Sequence, residues 1–132
     1  MDLHVIRVAA VVLAIAGAAP APSLAEPALS ASQWSIVELG GKRVRGIATL
    51  NFTRLRWLGL ETPCGAFWGW YRQSGPALKI HVTRQRYAPG PLCQGIDYQL
   101  LLGRVRSYQA EGDGLVFANE QGKIIARLAR TK

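Results

Sequence analysis

The side chains able to do chemistry in this chain are few and widely spaced. Cysteine occurs at Cys64 and Cys93, histidine at His4 and His81, and eight carboxylates are scattered over 132 residues. A zinc site wants three or four ligands from such a set, and a cysteine nucleophile needs a free thiolate beside a base. His81 alternates with Ile80 and Val82 on a predicted strand, and so faces away from them. Glu38, Glu61, Asp97, Glu111, Asp113 and Glu120 fall at turns and strand edges, which leaves no carboxylate pair for glycoside cleavage. Nothing resembles a phosphate-binding glycine loop ahead of a helix. These residues point away from catalysis: no enzyme activity, metal or cofactor is expected.

The cysteines have a different use. His4 and Arg7 lie in a short polar start, Val8–Ala16 is an apolar core, and Ser23-Leu24-Ala25 supplies the small residues of a cleavage site. Residues 1–25 are therefore expected to be an export signal and residues 26–132 a single domain; an uncleaved anchor is the alternative. The apolar run is short for a bilayer span, so no transmembrane segment is expected in the mature form, which would be periplasmic or secreted. In an oxidising compartment, two cysteines in a small domain favour a Cys64–Cys93 disulfide over two free buried thiols. Closing a loop of 29 residues adds roughly 3–4 kcal/mol in the chain-entropy account.

The elements that must position these residues are mostly strands. Alternation places strands at 33–39, 48–52, 56–60, 67–71 and 78–82, with a turn at Thr53–Leu55, the start of a strand at Val105–Tyr108, and two closing strands near 115–117 and 124–128. Leu50 and Phe52 face the core, as do Leu78, Ile80 and Val82; Trp34 and Ile36 oppose Val37 and Leu39 on the first strand. Gly40-Gly41, Gln73–Pro76 and Gly112–Gly114 read as turns, and Thr62–Gly65 as a bend. Helical spacing is confined to Gln94–Leu102, with Asp97 in its first turn and Ile96, Leu100 and Leu101 on its apolar face. The expected fold is mainly β: a small antiparallel curled sheet or barrel-like domain with one short helix, a β barrel being the closed form.

The densest stretch runs from Thr62 to Tyr71. Strand alternation sends Phe67, Gly69 and Tyr71 to one face and Trp68 and Trp70 to the other. Paired exposed tryptophans would suit a sugar or lipid contact; otherwise they lie covered under the helix or a loop. Gly69 leaves room for a close neighbour, expected to be an aromatic ring packed over its backbone. Lysine and arginine number 16 against 8 acids, a net charge of +8. Arginines recur in pairs two apart, at Arg43/Arg45, Arg54/Arg56, Arg84/Arg86 and Arg104/Arg106. Two residues apart on a strand share a face, and Arg84/Arg86 has the strongest claim because it continues a strand. Such pairs either fill outward polar positions and keep the protein soluble or attract an anionic surface.

Taken in order, these residues resemble the META domain family, which includes the HslJ-like heat-shock proteins. The likeness rests on Trp34, Leu50 and Phe52, Gly59, Pro63-Cys64-Gly65, Phe67, Gly69 and Tyr71, Thr83-Arg84, Cys93, the helix through Leu101, and Tyr108, Leu115, Gly122 and Leu128. Gly65 departs from the family's usual asparagine, removing a side chain that would brace the bend. The resemblance implies a β-rich envelope or stress-related domain without enzymatic activity.

The functional expectation is binding by a monomer, with anionic lipid, acidic glycan or an envelope protein as partner and no nucleic acid. Trp68, Trp70, Arg54, Arg56, Arg84 and Arg86 are the candidate contacts. A secreted enzyme inhibitor that uses its proline-rich loop, or a purely structural or chaperone-like envelope protein, are the alternatives.

Overall fold

The computed structural model describes residues 28–131. The expected export signal and the side chains of Arg84 and Gln85 lie outside the described residues. The strands are β1 (Ser32–Leu39), β2 (Lys42–Arg43), β3 (Thr49–Phe52), β4 (Trp57–Thr62), β5 (Gly65–Ser74), β6 (Ala77–Tyr87), β7 (Ser107–Glu111), β8 (Gly114–Ala118) and β9 (Ile124–Arg130), with helix α1 (Tyr98–Gly103) between β6 and β7. They form one antiparallel sheet in the order β2-β1-β3-β4-β5-β6-β7-β8-β9, and its curl brings β9 back onto β1.

Three two-residue turns set the register. Gly40 and Gly41, at φ of 62° and 82°, occupy the two-residue turn between Leu39 and Lys42, where a twisted hairpin needs positive φ. Pro63-Cys64 joins Thr62 to Gly65, and Gly75-Pro76 joins Ser74 to Ala77. The inward residues of β1 and β3 to β6 meet in one core: Trp34, Ile36, Leu50, Phe52, Leu58, Leu60, Phe67, Tyr71, Leu78, Ile80 and Val82 are all buried. Phe52 and Tyr71 pack edge to face with ring centroids 4.8 Å apart, and Tyr71 Oη donates to Thr53 O at 2.6 Å.

The structure departs from the sequence reading at four places. The barrel is not formed: β6 and β7 share only the pair Ala77↔Ser107, so the ladder does not close continuously. The cause is the connection, since the chain does not turn directly from β6 into β7 but passes through residues 88–106. That segment folds α1 against β6, with Tyr98 and Leu102 buried in the core. Second, Leu39 shares the core with Trp34 and Ile36. The register against β9 shifts between Ile36 and Glu38, a bulge that inserts Val37 and flips the faces beyond it. Third, α1 starts at Tyr98 rather than Gln94. Asp97 is its N-cap, and its Oδ1 accepts from Leu100 N–H at 3.0 Å, satisfying an otherwise orphaned donor. Leu100 is exposed. Fourth, β5 and β6 run longer than expected, through a hairpin paired from Ser74↔Ala77 to Gly65↔Tyr87.

Candidate binding surface

The hairpin of β5 and β6, with β4 beside it, carries every feature that suits a contact surface. One side of it is closed. A Cβ on Gly69 would lie 1.9 Å from His81 O and 2.9 Å from Val82 Cα, so the neighbour requiring glycine is the backbone of β6 and not an aromatic ring. At the Thr62–Gly65 turn, Thr62 Oγ1 donates to Gly65 O at 3.0 Å and accepts from Cys64 N–H at 2.9 Å. Thr62 thus braces the bend, and Gly65 is needed for its φ of 134° and for Arg86 O, which a Cβ would meet at 2.3 Å.

The disulfide Cys64–Cys93 is formed, with the two Cα atoms 4.7 Å apart. It ties the 63–64 turn to the proline-rich loop, which also donates from Ala88 N–H to Cys64 O at 3.1 Å and from Gly90 N–H to Pro63 O at 2.8 Å. Gln94 extends the clamp: its Nε2 donates to Arg43 O and its Oε1 accepts from Arg45 N–H.

The outer side of the hairpin is open and ordered in rows across the strands. One row is Trp57–Trp70–His81, the next Gln33–Asn51–Gly59–Trp68–Thr83, the third Ser35–Thr49–Glu61–Ala66–Arg86. Trp57 is 55% exposed and Trp68 49%. Trp70 is half-buried, stacked on His81 at 5.3 Å, with the Arg72 guanidinium 5.8 Å from its ring. Arg72 stands opposite Lys79. Arg54 and Arg56 sit in the adjoining β3–β4 turn rather than on a strand, and Arg56 O accepts from Tyr71 N–H at 3.0 Å.

The other arginine pairs do not join them. The β5–β6 register shifts between Ala66 and Phe67, whose partners are Arg86 and Arg84, so the regular spacing that would put Arg84 and Arg86 on one face is interrupted. Arg84's side chain lies outside the described residues. Arg104 caps α1, and Arg106 Nη1 donates to Gly103 O and Val105 O at 2.9 and 2.8 Å. Arg43 and Arg45 lie at the opposite end of β1. Sequence reasoning missed Arg72 and Lys79. Counting outward from Gly75-Pro76 as a two-residue turn would have paired them, along with Trp70 and His81.

Among the described residues no group of three or more His, Cys, Asp and Glu converges as a metal site requires, and no helix is long and apolar enough to cross a membrane. The candidate site is a patterned outer sheet face on a disulfide-stapled, curled antiparallel sheet. The chain belongs to the META domain family, which matches residues 27–132; membership makes it a non-enzymatic domain. A crystal structure of a DUF4847 family protein from Bacteroides vulgatus ATCC 8482 is similar over 79% of this chain and 95% of that one, with a TM-score of 0.59 and 15% identity. That likeness concerns the fold alone. No curated protein matches the chain.

Proposed function

We propose that this chain is an exported envelope protein that attaches to anionic lipid surfaces through the end of the sheet where β3 turns into β4 and β5 into β6. The sequence of residues 1–25, with a cleavage site at Ala25, supports periplasmic or extracellular residence. The observation that carries the reading is a cluster of cations around exposed aromatics. Arg72 faces Lys79 directly, an arrangement that repels, and Arg54 and Arg56 lie in the next turn. Among the described residues none of the four forms an ion pair.

Leu55, at the tip of that turn between the two arginines, is 76% exposed. Trp57 follows it, beside Trp70. An apolar tip flanked by cations and tryptophans matches the layering of an anionic bilayer interface, where the tip enters the acyl boundary and the cations meet headgroups. At this end Leu29 N–H also donates to Gln73 Oε1 at 3.1 Å. Each clustered cation adds up to about 1 kcal/mol near an anionic surface.

Co-sedimentation with anionic and zwitterionic vesicles over a salt series tests the reading. Binding to anionic vesicles alone is expected, falling steeply between low and moderate salt because screening shortens the reach to about 8–10 Å. Absent binding, or equal binding to both vesicles, overturns it. Retention on an acidic polysaccharide without vesicle binding would move the cations' partner to glycan.

A further inference from the structure

One row along from the cationic end, the outer face changes character. Gly59 leaves a gap in the row Gln33–Asn51–Gly59–Trp68, and Ala66 leaves another beside Glu61. The result is a groove of about 270 Å³ lined by Gln33, Thr49, Asn51, Gly59, Glu61 and Trp68. A Cβ at Gly59 would lie 3.9 Å from Trp68 Cζ3, so the indole leans over the groove floor as one bank. The carboxamides of Asn51 and Gln33 form the other.

We propose that this groove binds one ring of a neutral or N-acetylated hexose glycan. A pyranose presents an apolar C–H face and a rim of hydroxyls. A half-exposed indole offers the matching flat apolar surface, and the rim needs groups that donate and accept at once. Each carboxamide does both, and the Glu61 carboxylate can accept hydrogen bonds from two hydroxyls. No hydrogen bond ties the side chains of Gln33, Asn51 or Glu61 to another described residue, whereas Thr83 Oγ1 is fixed on Trp68 O at 2.9 Å. Of the residues lining the groove Glu61 is the charged one, and Arg86 stands opposite Ala66 at its edge, so the two formal charges balance, which suits a neutral ligand. The site therefore differs in ligand chemistry from the cationic end and does not depend on it.

The test is titration of the full mature chain with a panel of neutral tetrasaccharides (chitotetraose, cellotetraose and maltotetraose), read by tryptophan fluorescence and by amide shifts. At least one is expected to bind, with shifts centred on residues 51, 59 and 68. Trp68→Ala and Gly59→Ala should each weaken that binding at least tenfold. The added methyl of Gly59→Ala meets Trp68 only at ordinary contact distance, so its unfolding midpoint should not fall below the wild-type value. Arg72→Ala/Lys79→Ala should leave saccharide affinity within twofold. No binding of any panel member at millimolar concentration, or binding that survives Trp68→Ala, overturns the proposal, as does binding lost in the Arg72/Lys79 variant.

Discussion

The two faces of β5 are made from the same kinds of residue and do opposite work. Inward, Phe67, Gly69 and Tyr71 are buried and held by neighbours: the Phe52 ring, the Thr53 carbonyl and the backbone of β6. Outward, Trp68, Trp70 and Arg72 keep much of their surface in solvent, and the nearest glycine, Gly59, clears space that no backbone fills. Residue type alone does not separate structure from contact here; parity along the strand does. An aromatic on the inner parity stabilises the fold, and one on the outer parity is available to a partner.

Exchanging the two glycines for alanine gives the strongest way to break this contrast. Gly69→Ala places a methyl on a carbonyl oxygen 1.9 Å away and is expected to destabilise by more than about 4 kcal/mol, the range of severe strain. Gly59→Ala should lie within about 0.5 kcal/mol of wild type, or gain slightly as glycine leaves a strand. Urea unfolding of both variants decides it, and equal losses would remove the distinction between the faces.

Next in size is the staple. Cys64→Ser/Cys93→Ser opens a loop whose ends are 29 residues apart and should lose roughly 3–4 kcal/mol, measured by thermal unfolding with and without reductant. A loss below about 1 kcal/mol would mean that the backbone bonds from Ala88 and Gly90 hold the proline-rich loop unaided.

A smaller effect sharpens the account of the inner side. Burial raises the Tyr98 phenol above its ordinary value of 10.0, because the ionised form would be poorly solvated. Its contribution to stability is present in full below the unfolded value and is lost as pH rises through the raised folded one. Tyr98→Phe should flatten the alkaline fall in unfolding free energy while changing stability little at neutral pH. An unchanged alkaline slope would assign the fall to other groups.

Much of the fold was legible because burial of one face leaves alternation in the chain: Leu50/Phe52 and Leu78/Ile80/Val82 mark their strands without ambiguity. Bulges leave no such trace. The extra residue at Val37 re-aims Leu39, and the irregularity opposite Ala66/Phe67 breaks the Arg84/Arg86 spacing, yet neither position differs in composition from regular strand. Closure was illegible for another reason. Whether β6 and β7 pair along their length depends on how residues 88–106 pack, and that is set by tertiary contact with α1 and the disulfide. Asp97 carried the signal of its role, but a cap and a first-turn acid look alike until the helix start is known. The row of Trp57, Trp70 and His81 was recoverable from the two turns at Pro63-Cys64 and Gly75-Pro76; what was missing was the length over which each hairpin stays in register.

The proposed attachment to an anionic surface depends on position on the outer face and not on total charge. Two charge-reversed proteins test it most directly: Arg72→Glu/Lys79→Glu at the aromatic end, and Arg43→Glu/Arg45→Glu at the opposite end of β1. Both lower net charge by the same amount, and all four side chains are exposed. Vesicle affinity at low salt should fall more than tenfold in the first, since two cations near the surface contribute about 2 kcal/mol, and stay within twofold of wild type in the second. Equal losses in the two would contradict the account and leave the basic charge as a property of the whole domain.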